Sequence, residues 1–170
     1  YEVLQLSEEI SLLSNGAFDI TVSPLVNLWG FGSEYRENNT LPNTEDIQEI
    51  MPNIGFQHLI IAKDRTAVFK REMINIDLSA VAKGYAVDVL ADLLEVNNIS
   101  NYLIEIGGEI SSKGRNAEGD FWRVAIETPE RSAKPGNPLQ IIELSNLSVA
   151  SSGDYRNFFQ VDDVYYSHTI

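Results

Sequence analysis

Met73-Ile74-Asn75-Ile76-Asp77-Leu78-Ser79-Ala80-Val81-Ala82-Lys83-Gly84-Tyr85-Ala86-Val87-Asp88 decides how the rest of this chain is read. A short apolar run ends on a carboxylate, and small residues then lead into Lys83-Gly84. Beyond them Val81, Val87, Leu90, Ala91 and Leu94 recur at helical spacing, which predicts an amphipathic helix from Ala80 to about Val96, closed by Asn97-Asn98. A junction of small residues lets backbone approach a ligand closely while an acid and an ammonium flank it. Three other stretches share that character: Asn15-Gly16-Ala17-Phe18-Asp19, Ile106-Gly107-Gly108-Glu109 and Ala150-Ser151-Ser152-Gly153-Asp154-Tyr155.

Outward from the long helix, the periods change often. Val3, Leu6, Ile10 and Leu13 predict an N-terminal helix that stops at Asn15-Gly16. Ser23-Pro24 predicts an N-cap and first-turn proline for a short helix, Leu25 to Trp29, ended by Gly30-Phe31-Gly32. Residues 33 to 43 are polar and read as a loop. Thr44-Glu45-Asp46 starts a helix with acids at its positive end, and Pro52-Asn53 closes it. His58 to Ala62 and Ala67 to Lys70 predict a hairpin around Lys63-Asp64-Arg65. Tyr102 to Ile106, Phe121 to Glu127, Leu139 to Leu144 and Val164 to Thr169 predict strands, with a turn at Lys134-Pro135-Gly136-Asn137-Pro138. Helices and strands mix irregularly, which gives an α+β class with a largely antiparallel sheet.

The chain has 170 residues, enough for one domain or two small lobes, and 44% of them are hydrophobic. Twelve Lys and Arg against 25 Asp and Glu leave a net charge of −13, a surface that repels nucleic acid and anionic lipid. A phosphorylated ligand would have to be held locally. The absence of cysteine excludes disulfides, thiolate zinc sites and cysteine nucleophiles. No stretch is apolar for long enough to span a bilayer. The chain opens without Met inside an expected helix and closes in an unfinished strand, Tyr165 to Ile170. It is therefore expected to be a piece of a longer protein, trimmed at both ends.

The candidate site residues each have a structural reading beside the chemical one. Asn15 to Asp19 places a turn before a carboxylate, suited to a flat or phosphorylated ligand. It equally describes a helix C-cap with Asp19 capping the next turn. Asp77 can accept hydrogen bonds from a ribose or an adenine amine, or it can cap the following helix. The Ala80 carbonyl offers a hard oxygen of the kind Mg²⁺ prefers. Lys83 supplies a mobile point charge for phosphate, or a solvated surface charge. Gly107-Gly108 after a strand reads as a β-bulge more readily than as a phosphate cradle. Ser151-Ser152-Gly153-Asp154 can donate hydroxyls and amides to phosphate, or form a plain serine-rich turn. His58 reads as structural, within an apolar strand. His168 stands at the end of the last strand, and a histidine is suited to moving a proton near neutral pH.

These stretches, in this order, resemble the FAD:protein FMN transferase family, ApbE, formerly labelled thiamine-biosynthesis lipoproteins. The resemblance is carried by Asn15 to Gly32, Ile76 to Asp88, Ile106 to Ile110, Trp122, Ala150 to Tyr155 and Ser167-His168. Ser151 stands where the family commonly has Thr, and keeps a hydroxyl. The resemblance implies a two-lobed α+β fold related to the tunnelling fold, with 1–170 as a single catalytic-domain fragment. It implies an Mg²⁺-dependent enzyme that moves FMN from FAD onto a Thr or Ser hydroxyl of a target flavoprotein subunit and releases AMP. By position, Ala17, Phe18, Asp19, Asp77 and Lys83 would bind the flavin nucleotide. Ala80 would give its carbonyl to the metal, and His168 would take the proton of the attacking hydroxyl. The Asp and Thr of an Asp-Pro-x-Thr-Gly segment, which completes the family's metal site, are expected beyond Ile170.

The same resemblance implies an extracytoplasmic protein, lipid-anchored to a membrane in its full-length form, with a cytoplasmic location left open. Two other functions use the same residues. One is a metal-dependent FAD pyrophosphatase, with water in place of the acceptor hydroxyl. The other is a flavin-binding module without catalysis.

Overall fold

The computed structural model describes residues 1–32, 41–62, 64, 67–71, 73–130 and 138–169. Helix α1 (Glu2–Leu13) forms where the apolar spacing predicts it, but with a different inward face. Ser7 and Ser11 are fully buried, whereas Leu6 and Leu13 of the expected stripe are exposed. The two serines can be buried because each satisfies its own hydroxyl: Ser7 Oγ donates to the Val3 carbonyl at 2.7 Å and Ser11 Oγ to that of Ser7 at 2.8 Å. The helix ends as Asn15 turns left-handed (φ 52°), with Asn15 N–H on the Leu12 carbonyl and Gly16 N–H on that of Ser11.

Helix α2 (Ser23–Leu28) has Pro24 in its first turn, and its cap residue is Val22 rather than the expected Ser23. Gly30 at φ 81° closes it with the same two-bond pattern, Gly30 N–H to Asn27 and Phe31 N–H to Val26. Helix α3 (Thr44–Ile50) is capped by Asn43, whose Oδ1 accepts from Asp46 N–H at 2.8 Å. Strands β1 (Leu59–Ile61) and β2 (Val68–Lys70) pair antiparallel as expected, though Lys63 and Arg65 of the expected turn lie outside the described residues. His58 ends a 3-10 turn, Phe56–His58, and is not part of the strand. Most of the loop expected at 33 to 43 is likewise outside the described residues.

Helix α4 (Ser79–Val96) fulfils the central expectation. Val87 and Ala91 are its buried residues, while Leu90, expected on the same stripe, is 41% exposed. Asn98 in the left-handed conformation ends it. Strands β3 (Tyr102–Ile106) and β4 (Glu109–Lys113) then pair antiparallel with Ile106 opposite Glu109. That register leaves Gly107-Gly108 as a two-residue turn with φ 57° and 94°, both positive. The expected bulge is a tight hairpin, because paired glycines supply the mirror-image turn that matches strand twist. Strands β5 (Trp122–Glu127) and β6 (Pro138–Leu144) form a second hairpin, and β7 (Leu147–Val149) adds to the free edge of β4. The turn expected at Lys134 to Asn137 lies outside the described residues.

Strands β8 (Phe158–Val161) and β9 (Val164–Ser167) close the chain around Asp162, at φ 51°. The predicted last strand thus ends two residues early, and His168 follows it. The sequence reading did not anticipate β4, β7 or β8. The α+β class and the antiparallel pairing hold, with the described strands divided among four small sheets rather than one.

The chain divides into two units, Tyr1–Val81 with Asn157–Ile170, and Ala82–Arg156. The first has a core of Ile20, Leu59 and Ile74, with Leu4, Phe18, Ile76 and Leu78 packed on it. Each such aliphatic side chain contributes about 1.5–3 kcal/mol when fully buried. Among the described residues no helix is long and apolar enough to cross a membrane.

Candidate functional site

In the first unit the expected residues gather around Ile20. Asp19 Oδ1 accepts from the Thr21 N–H at 2.8 Å and from the Thr21 hydroxyl at 2.7 Å. Its Oδ2 accepts from Phe56 N–H at 2.8 Å. Thr21 Oγ1, fully buried, also accepts from Gly55 N–H at 2.7 Å. The carboxylate therefore joins two segments distant in sequence and fixes the loop that carries Ala17 and Phe18. Phe18 is half-buried on the Ile20 core, with its N–H on Ser14 Oγ at 3.0 Å. Ala17 is exposed, and its N–H donates to the Ser14 carbonyl at 3.2 Å.

Asp77 joins the same neighbourhood through its backbone, donating its N–H to the Ile20 carbonyl at 2.7 Å. Its side chain does what the structural reading expects: Oδ1 accepts from Ser79 N–H at 2.8 Å and caps the start of α4. Oδ2 takes no hydrogen bond among the described residues, which leaves an acceptor on a half-buried acid. Ala80 is exposed in the first turn of α4.

In the second unit Lys83 is clasped by the hairpin turn. Its Nζ donates to Glu109 Oε1 at 3.1 Å and to the Gly107 carbonyl at 3.2 Å. A Cβ on Gly107 would stand 3.1 Å from Lys83 Cδ, so the close approach of turn and lysine depends on glycine. The lysine side chain is half exposed and the glutamate mostly covered, at 48% and 19%. Ser151 to Asp154 are exposed, and the residues that follow anchor the segment to β5. The Tyr155 hydroxyl donates to Glu127 Oε2 at 3.1 Å, and Arg156 forms an ion pair with the same oxygen. Arg156, then Tyr155, hold the Glu127 carboxyl below its ordinary range.

A second polar group in that unit links α4 to β3 and β4. The Tyr102 hydroxyl donates to Glu95 at 2.9 Å, and Lys113 pairs with Glu95 at 2.7 Å. Burial, then the Glu95 bond, push the Tyr102 phenol up to about 12. Lys113, then Tyr102, hold the Glu95 carboxyl below its ordinary range.

His168, in the first unit, is exposed. Its backbone N–H donates to the Asn157 carbonyl at 3.2 Å, its Nδ1 lies 3.3 Å from the same oxygen, and its ring meets the edge of Phe31 at 6.4 Å. Sequence reasoning quoted Glu109 within the Ile106–Glu109 stretch without giving it a role, and assigned none to Thr21 or Asn157. For Thr21 the signal was partial: an aspartate commonly accepts from the backbone N–H two residues on, but nothing local marks the Thr21 hydroxyl that accepts from Gly55 N–H. Among the described residues no three His, Cys, Asp or Glu side chains cluster as a metal site.

The ApbE family profile matches residues 1–170. An FAD:protein FMN transferase from Vibrio cholerae serotype O1 is 46% identical over 158 residues, 93% of this chain and 46% of that protein. One from Escherichia coli K12 is 38% identical over 172 residues, 99% of this chain and 48% of that protein. The solved structure of the flavin transferase ApbE from Vibrio cholerae matches with a TM-score of 0.81 at 40% identity, over 98% of this chain and 52% of that one. The chain spans about half the length of the curated relatives it matches.

Proposed function

The chain belongs to the ApbE family, and from that membership we propose that the full-length protein transfers FMN from FAD to a Thr or Ser hydroxyl of a target flavoprotein subunit. The hydroxyl oxygen bonds to the FMN-side phosphorus, the bridging P–O bond breaks, and AMP leaves with the bridging oxygen. The hydroxyl proton passes to His168, which is exposed and carries an imidazole suited to that exchange.

The observation that carries the reading is the meeting at Ile20 of two segments distant in sequence. Phe18 packs on Ile20, and Asp77 bonds its carbonyl at 2.7 Å. Together they present exposed Ala17 and a carboxylate oxygen that takes no hydrogen bond among the described residues. Asp77 Oδ2 would accept from a ribose hydroxyl or the adenine amine. Asp19 would act by holding the loop, and Lys83 would turn its ammonium from Glu109 to a phosphate oxygen.

The donors suit Mg²⁺ in kind. That ion is commonly held by one or two protein oxygens together with substrate phosphates and water, and Ala80 offers a peptide oxygen on an exposed first turn. When bound, the ion neutralises charge on the pyrophosphate. The protein would be lipid-anchored and extracytoplasmic.

The test is incubation of the full-length protein with FAD, Mg²⁺ and a candidate acceptor flavoprotein. The expected result is a fluorescent flavin band on the acceptor in a denaturing gel, with AMP released in equal amount. FMN only in solution would replace transfer by hydrolysis, and intact FAD would leave a binding module.

A further inference from the structure

We infer that His168 receives its proton at Nε2, and that Phe31 is a positioning residue which, with the Asn157 carbonyl, fixes the imidazole for that role. The inference rests on the reading of His168 as the base and specifies the atom that acts. A carbonyl oxygen only accepts hydrogen bonds, so the nitrogen 3.3 Å from Asn157 O must be the one bearing hydrogen. A neutral imidazole protonated at Nδ1 keeps its lone pair on Nε2. A freely solvated imidazole side chain favours the opposite tautomer, so this contact reverses the default.

The ring is held as well as tautomerically set. Asn157 and His168 extend the β8–β9 pairing one step past Phe158 and Ser167, and the His168 N–H donates to the same Asn157 oxygen at 3.2 Å. Phe31 meets the imidazole edge-on, at 6.4 Å and 66°. Phe31 in turn stacks on Phe159 at 5.2 Å, Phe159 on Tyr166 at 5.5 Å, and Tyr166 on Trp29 at 5.7 Å. The imidazole is thus the last ring of a ladder anchored at the end of α2. Turning it over would swap Nδ1 for a carbon and lose the Asn157 bond. When the acceptor hydroxyl gives up its proton, Nε2 takes it, the oxygen bonds to phosphorus as the bridging P–O bond breaks and AMP leaves, and the Nδ1–H stays on Asn157.

The direct test is ¹⁵N NMR of the full-length protein labelled at histidine, with His168→Asn identifying the resonances. For the neutral ring the expected result is hydrogen on Nδ1 and a bare Nε2 for His168. Hydrogen on Nε2 overturns the inference whether or not transfer occurs, so the tautomer and the transferase reading fail separately. The second test is Phe31→Leu in the transfer assay. The expected result is a loss of about tenfold in kcat with KM for FAD nearly unchanged, a fall in the Nδ1–H tautomer, and recovery of both in Phe31→Tyr. Unchanged kcat, or equal loss through KM, overturns the role of Phe31.

Discussion

Asp19 and Lys83 look alike in sequence, each a charged residue within three positions of a glycine and an alanine, yet the fold uses them in opposite ways. Asp19 is tied by three hydrogen bonds of 2.7–2.8 Å, and its partner Thr21 is completely buried. Lys83 rests on a glutamate and a turn carbonyl at 3.1 and 3.2 Å, with half its side chain in solvent. The first arrangement is a lock, because breaking it strands buried donors with no water to replace their partner. The second is a clasp, because water or an anion can replace Glu109 at small cost. A charged residue near glycine therefore does not reveal whether it holds the fold or waits for a ligand; the burial of its partner does.

The sharpest way to break the contrast is Thr21→Val. It leaves Gly55 N–H without an acceptor and removes one donor from Asp19; with about 1–3 kcal/mol for the stranded N–H and about 1 kcal/mol for the lost bond, the expected loss is about 2–4 kcal/mol in urea unfolding. Thr21→Ser, which keeps the hydroxyl, should lose far less. A valine variant as stable as the serine one would demote the lock to a clasp.

Next in size, Gly107→Ala forces a side chain into left-handed backbone at φ 57° and against Lys83 Cδ. About 1–2 kcal/mol is expected from the backbone alone. A neutral effect would mean that the turn can open away from the lysine.

Tyr102 tests whether burial governs polar groups in the second unit too. Its folded pKa, about 12, lies above the ordinary value of 10.0. Stability from the neutral phenol is therefore complete below pH 10 and disappears as pH rises toward 12. Comparing Tyr102→Phe with the parent across that window should show a stability difference that shrinks with pH. A constant difference would remove the phenol from the account.

The smallest structural effect is expected for Glu109→Gln, under about 1 kcal/mol for a partly exposed ion pair. Its interest lies in binding. On the function proposed above, Lys83 freed of its carboxylate partner should bind the FAD pyrophosphate a few-fold more tightly in titration, an effect of about 1 kcal/mol at most that weakens with salt. Unchanged affinity would leave Lys83 a surface charge.

The sequence was clearest where a single residue type dictates backbone shape. Asn15-Gly16, Gly30 and Asn97-Asn98 end helices where their left-handed preference says they should, and α4 runs the length its spacing predicts, although Leu90 of its expected stripe is exposed. It misled at α1, where hydrophobicity pointed to Leu6 and Leu13 while the interior took Ser7 and Ser11. A serine that bonds its own helix carbonyl hides its polarity, and no periodicity of apolar residues shows that. Strands β4 and β7 were missed because Glu109-Ile110-Ser111-Ser112-Lys113 and Leu147-Ser148-Val149 carry too few branched or aromatic residues to look like strands. Phe158 to Val161 did carry that signal, on the near side of Asp162-Asp163, so β8 was open to being read. In the candidate site, the residue types were legible, but their partners were not. Thr21, Glu109 and Asn157 owe their importance to contacts made across the fold.

The cap that ends α1 also bears on how this protein ages. An asparagine followed by glycine is the pair most prone to cyclise and deamidate, because the next amide nitrogen can attack the side-chain carbonyl unhindered. Here that nitrogen belongs to Gly16, and its hydrogen is engaged by the Ser11 carbonyl at 2.8 Å. While the first helix stays wound, the nucleophile is occupied; fraying of its final turn would start a slow chemical clock at Asn15.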